Sequence, residues 1–97
     1  MKKNITVGIK FLPATTPENV HNIVDKAIKV IDSWNLKYKV GPSMTSVEGN
    51  LQDILKKVNS LCEYMEESIE RFTVILDIDY CKNGISINDK IKKYSPI

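Results

Sequence analysis

The chain has little of what most catalytic sites are made from: one His (His21), one Trp (Trp34), one Arg (Arg71) and two Cys, Cys62 and Cys81. A nucleophilic side chain needs a base within hydrogen-bond reach. His21 lies between Val20 and Asn22, early in a helical pattern, and reads as a solvated residue. The lone arginine stands at the entry to the last predicted strand. A phosphate-cradling loop with a positioned arginine, as an acylphosphatase-type site requires, is therefore lacking. The cysteines have no C-x-x-C spacing and read as reduced thiols, without a disulfide or a metal. Cys62 falls on the apolar stripe of a helix, where a free thiol behaves as a small hydrophobe. Cys81 falls at a strand end. A net charge of +2 is too small to argue for nucleic acid. No apolar run approaches the roughly 20 residues that span a bilayer. The start, MKKNITVGIKF, is basic and then apolar, but Lys10 interrupts it and no small-residue cleavage site follows. It reads as a first strand, and the protein as cytoplasmic.

What is present is a regular alternation of patterns over 97 residues, the length of a single domain covering 1–97. Ile5, Val7, Ile9 and Phe11 alternate with Thr6, Gly8 and Lys10, which predicts a half-buried strand ended by Pro13. Thr16, Pro17 and Glu18 form a helix-start signal. Val20, Ile23, Val24, Ala27, Ile28, Ile31 and Trp34 then predict an amphipathic helix from Pro17 to Trp34. Leu36, Tyr38 and Val40 alternate with Lys37 and Lys39. Gly41-Pro42 breaks that strand, and Met44 to Glu48 alternates again, so the two strands form a hairpin. Gly49 releases the second strand, and Asn50 caps a helix whose stripe runs from Leu51 to Met65 and which ends near Ser68. Phe72 to Asp79 is the last strand. Cys81-Lys82-Asn83-Gly84 is a turn, Ser86 to Tyr94 a short helix capped by Ser86 or Asn88, and Ser95-Pro96-Ile97 a fraying end.

The order is β-α-β-β-α-β with a C-terminal helix. That is an α+β, ferredoxin-like fold with a four-stranded antiparallel sheet and two helices on one face. The other face receives Thr6, Gly8, Lys10, Lys37, Lys39, Met44, Ser46, Glu48, Thr73, Ile75, Asp77 and Asp79. A face this mixed calls for a cover, either a second subunit or a ligand. An RNA-recognition domain would stack bases on aromatics there. The Met44–Glu48 strand has none, and Phe11 alternates with the buried set, so nucleic acid is not expected. Asp77 and Asp79 share the face. They could hold a cation or act as an acid–base pair, but cross-strand pairing with lysines such as Lys10 accounts for them.

The stretch VGPSMTSVEGN, residues 40–50, carries a resemblance. A Gly-Pro turn followed by Thr and then Glu-Gly, leading into the second helix, is the mark of the thiamine-binding family of small ferredoxin-like proteins. Here these are Gly41, Pro42, Thr45, Glu48 and Gly49. The flanks LKYKVGP, RFTVILDIDY and ISINDKIKKY agree, so the resemblance covers essentially the whole chain. Many members have Met-Gly where this chain has Ser43-Met44, and basic residues where it has Tyr80-Cys81-Lys82. It is similar to the subgroup with the form PSxTxVEG.

The resemblance implies binding of thiamine or its hydroxymethylpyrimidine half without catalysis or a cofactor. It also implies assembly into homodimers or homotetramers through the sheet. It carries Thr45 and Glu48 as ligand residues, and Ser43 beside them. The chemistry suits an aminopyrimidine. Glu48 accepts from the exocyclic amine or pairs with a protonated ring nitrogen, and the hydroxyls of Ser43, Thr45 and Ser46 donate to ring nitrogens. Tyr38 could stack on a cationic thiazolium, but its alternation puts it in the core. Glu48 has a plainer reading as a strand-end carboxylate paired with Lys37 or Lys39. Two other readings of the chain stand beside ligand binding. One is a structural or regulatory oligomer with no ligand. The other is an enzyme using Asp77, Asp79 or Glu48.

Overall fold

The computed structural model describes residues 3–92. Its elements are β1 (Ile5–Pro13), α1 (Val20–Asp32), β2 (Lys37–Val40), β3 (Thr45–Gly49), α2 (Leu51–Met65), β4 (Phe72–Asp79) and α3 (Ile87–Ile91). The strands form one sheet in the order β2-β3-β1-β4, and every neighbouring pair is antiparallel. This is the expected α+β arrangement.

Strand alternation sorts the side chains into two faces. Ile5, Val7 and Ile9 of β1 stand opposite Gly49, Val47 and Thr45 of β3. Ile5, Val7, Ile9 and Val47 make one buried cluster with Ile31, Ile54 and Val58 of α1 and α2. Phe11, Ile23, Ala27, Leu61, Met65 and Ile69 make a second. Trp34 packs against both. Phe11 stacks on Phe72 with ring centroids 4.9 Å apart. Burial of each large aliphatic side chain contributes about 1.5–3 kcal/mol, so this face supplies the main hydrophobic stabilisation.

Local signals fix most boundaries. The Asn50 side chain accepts from the Asp53 amide at 3.2 Å and starts α2. The Gly41 amide donates to the Met44 carbonyl at 2.9 Å and closes the β2–β3 hairpin. Asn35, at φ 60°, turns the chain out of α1 into β2, a conformation that Asn tolerates better than most residues.

The first helix starts later than its sequence suggests. Thr16 to Asn19 is a separate turn, closed by the Asn19 amide on the Thr16 carbonyl. Asn19 rather than Thr16 is the N-cap residue, and it gives no side-chain cap. Its amide nitrogen Nδ2 instead donates to Thr15 Oγ1 at 3.3 Å.

α3 lies on the face of the sheet opposite α1 and α2. After β4 the chain turns at Gly84, whose φ is +90° and where a Cβ would come within 3.0 Å of the Asn4 carbonyl oxygen. Only glycine adopts that conformation without strain. The Ile85 amide then donates to the same Asn4 carbonyl at 3.0 Å. This crossing over the start of β1 delivers α3 to the open face. Ser86 caps it, with Asp89 completing a reciprocal capping box. Tyr94 and Ser95-Pro96-Ile97 lie outside the described residues.

Candidate functional site

Register builds the open face from two rows of side chains. Lys37, Glu48, Thr6 and Asp79 are successive cross-strand partners from β2 to β4. So are Lys39, Ser46, Gly8 and Asp77 in the next row. β1 therefore contributes its two smallest outward residues, Thr6 and Gly8, between the carboxylates and Ser46. A Cβ on Gly8 would collide with Met44 Sδ, because the Met44 side chain folds over the middle of the face.

α3 closes over the first row. Glu48 Oε1 accepts from the Ile87 amide at 2.8 Å. Lys90 Nζ lies 2.9 Å from Asp79 Oδ2 and donates to Thr6 Oγ1 at 3.2 Å. Thr6 is left 2% exposed and Ile87 5%. Between this cover and the second row is a cavity of about 80 Å³, bordered by Thr6, Gly8, Met44, Ser46, Asp77 and Lys90 together with the two isoleucines of α3. That is the room of two or three waters at roughly 30 Å³ each, well below the roughly 300–1,000 Å³ of small-molecule sites.

The four residues carried as ligand candidates do not converge. Ser46 and Glu48 are on the open face. Thr45 pairs with Ile9 on the helix-facing side and is 5% exposed. Ser43, in the hairpin turn, borders with Thr45 a separate cavity of about 370 Å³ beside α1 and His21. The physical reason is strand period: Thr45 and Ser46 are neighbours and so point to opposite faces.

Two pairings also differ from expectation. Glu48 stands beside Lys37 in register, yet its hydrogen bond goes to the Ile87 amide. Lys10 faces Ile75, so it does not pair with the β4 aspartates; Gly8 and Thr6 occupy the positions opposite Asp77 and Asp79.

A larger depression, about 860 Å³, is elsewhere. It is an open groove on the outer side of α1 and α2, with Lys26, Lys29, Lys57, Trp34 and Tyr64 around it. Lys57 is already paired with Asp53 at 3.3 Å, and Lys26 with Ser68 at 2.7 Å. None of the candidate residues borders it, so its size does not make it the better site. Among the described residues no group of three or more His, Cys, Asp or Glu is placed to hold a metal, and no helix is long and apolar enough to cross a membrane.

Thr6 and Lys90 are the members of this constellation that sequence reasoning missed. A signal for Lys90 existed. Ile87 and Ile91 give the short helix an apolar side, and the helix-facing side of the sheet was already covered by two longer stripes.

Comparisons with known proteins agree with this fold. A family model described as thiamine-binding protein matches residues 7–95. A UPF0045 protein of Clostridium perfringens is 36% identical over 91 residues, covering 91% of this chain and 94% of that protein. A solved Thermotoga maritima structure, titled provisionally as a thiamine biosynthesis/salvage protein, is 45% identical with a TM-score of 0.92. The match covers 94% of this chain and 98% of that one. A Bacillus cereus domain of unknown function, DUF77, is 28% identical with a TM-score of 0.87 and covers 97% of this chain and 92% of its own.

Proposed function

Because the chain belongs to the thiamine-binding protein family, we propose that it binds thiamine or its hydroxymethylpyrimidine moiety on the open sheet face, as a homo-oligomer, without catalysis or a cofactor. The observation that carries this reading is the pair of rows that groups Glu48, Ser46, Asp77 and Asp79 on one side of the sheet. An aminopyrimidine offers N–H donors to a carboxylate and ring nitrogens to a hydroxyl. A thiazolium is a cation that the β4 aspartates can balance. Thr45 and Ser43, on the other side, serve the hairpin and its packing in this reading.

The cavity is too small for thiamine as it stands. Binding requires α3 to move or a second chain to extend the site. Leu12 and Ile75, 41% and 44% exposed, alternate onto the open face outside the reach of α3, which supports a second copy of the chain as its cover. The same exposure favours the second reading, an oligomer whose sheet face serves only self-association. The protein is placed in the cytoplasm by this proposal, where Cys62 and Cys81 would stay reduced.

A thermal-shift screen with thiamine, its phosphates and hydroxymethylpyrimidine separates the two readings. A true ligand at about 100 times its dissociation constant stabilises by about 2.7 kcal/mol. Flat melting curves for the whole panel would sink the ligand reading. For the ligand that shifts, Ser46→Ala and Glu48→Ala are expected to weaken calorimetric affinity. Loss of a hydrogen bond to a charged group costs about 1.5–3 kcal/mol, or roughly 10- to 150-fold, so Glu48→Ala sets the larger effect. Unchanged affinity in both variants would remove this face from the site.

A further inference from the structure

We propose that α3 is a built-in competitor for the open-face site, with Lys90 standing where the ligand's cation must go. The proposal rests on the ligand reading above and names how that site is regulated. α3 presents to the sheet the two chemistries an aminopyrimidine–thiazolium ligand would bring. The Ile87 N–H fills one oxygen of Glu48 at 2.8 Å. The Lys90 ammonium fills Asp79 at 2.9 Å and the buried hydroxyl of Thr6 at 3.2 Å. Lys90 also borders the small cavity beside Asp77 and Ser46. A ligand that used Glu48 and Asp79 would meet one oxygen of each carboxylate already engaged.

The competitor is weakly held, which is what lets it yield. A five-residue helix has no stability of its own in water. The Lys90 and Asp79 side chains are each 41% exposed, so their pairing shifts an equilibrium by no more than about fivefold. The rest of the hold comes from Ile87, through its amide on Glu48 and the burial of its side chain. Ligand entry therefore exchanges one N–H and one cation for another, and α3 moves off the first row.

Calorimetry with thiamine on the full chain and on Lys90→Ala and Lys90→Arg tests this. Lys90→Ala is expected to bind more tightly, by up to about fivefold, because the competing cation is gone. Lys90→Arg, which keeps the charge, is expected to match the parent chain. Adding thiamine to the parent chain is expected to speed hydrogen exchange at the Ile87 amide, as Glu48 is taken over. Equal or weaker binding by Lys90→Ala overturns the competitor while leaving the ligand reading in place. So does a gain by Lys90→Arg equal to that of Lys90→Ala, or greater protection of Ile87 on ligand addition. Absence of thiamine binding by all three proteins overturns the ligand reading and the competitor with it.

Discussion

Glu48 has one role in the structure and a second only in the proposed ligand reading. One oxygen anchors α3 through the Ile87 amide, a use that belongs to folding. In the proposed reading the same carboxylate is the acceptor that β3 offers to a ligand. Tyr38 shows a simpler case of a side chain committed to structure. Its hydroxyl donates to Asp32 Oδ1 at 2.8 Å, joining β2 to the end of α1. That hydrogen bond, then desolvation and the Asp32 charge, raises the phenol above its ordinary value of 10.0. The unfolded tyrosine therefore ionises first. Its contribution to stability is complete below pH 10 and is lost as pH rises through the higher folded value. Urea titrations between pH 9 and about pH 11.5 are expected to show a steeper fall in stability for the parent chain than for Tyr38→Phe. Parallel curves would remove the Asp32 contact as its cause. Cys62, half-buried on α2, likewise has its thiol pushed up by burial, in keeping with a packing role.

Among the elements, α3 differs from the others because it lies outside the main core. Of its residues only Ile87 is buried, and its start depends on the Ser86–Asp89 capping box. Loss of an N-cap hydroxyl costs about 1 kcal/mol, roughly a fivefold change in an opening equilibrium. Ser86→Ala is thus expected to speed exchange of the Ile87 and Asp89 amides about fivefold, while Val7 and Val47 in the sheet keep their protection. Equal acceleration throughout the sheet would mean that α3 unfolds only with the whole domain, and would make it a poor mobile cover. α1 teaches the reverse lesson about start signals. Thr16, Pro17 and Glu18 have the composition of a helix start, yet they form a preceding turn. Composition marks where a chain can turn, and packing of the Ile23, Ala27 and Ile31 stripe decides which turn begins the helix.

At the scale of the whole molecule, the two faces of the sheet are unequal. One is sealed by two helices of 13 and 15 residues; the other, among the described residues, has only α3. The uncovered part presents Leu12 and Ile75 beside Lys10 and Thr73. A second chain seated there would bury these residues, and a charge at Ile75 would oppose it. Light scattering is expected to give a multiple of one chain for the parent protein and a smaller multiple for Ile75→Glu. A parent mass of one chain would count against every oligomeric reading.

The amino-acid order by itself determined the sequence of elements, the hairpin at Gly41-Pro42, the Asn50 cap and the membership of each sheet face. These follow from periods of two and of three to four residues, which are local and survive without knowledge of the neighbours. Only the tertiary structure decided where α3 lies, which group Glu48 binds, and that Lys90 rather than Lys10 meets Asp79. Those contacts join residues 39 and 84 positions apart, in Glu48–Ile87 and Thr6–Lys90, and no local period encodes them. They are set by strand register, by the Gly84 crossing over Asn4, and by an apolar pair on α3 that had one open face left to cover.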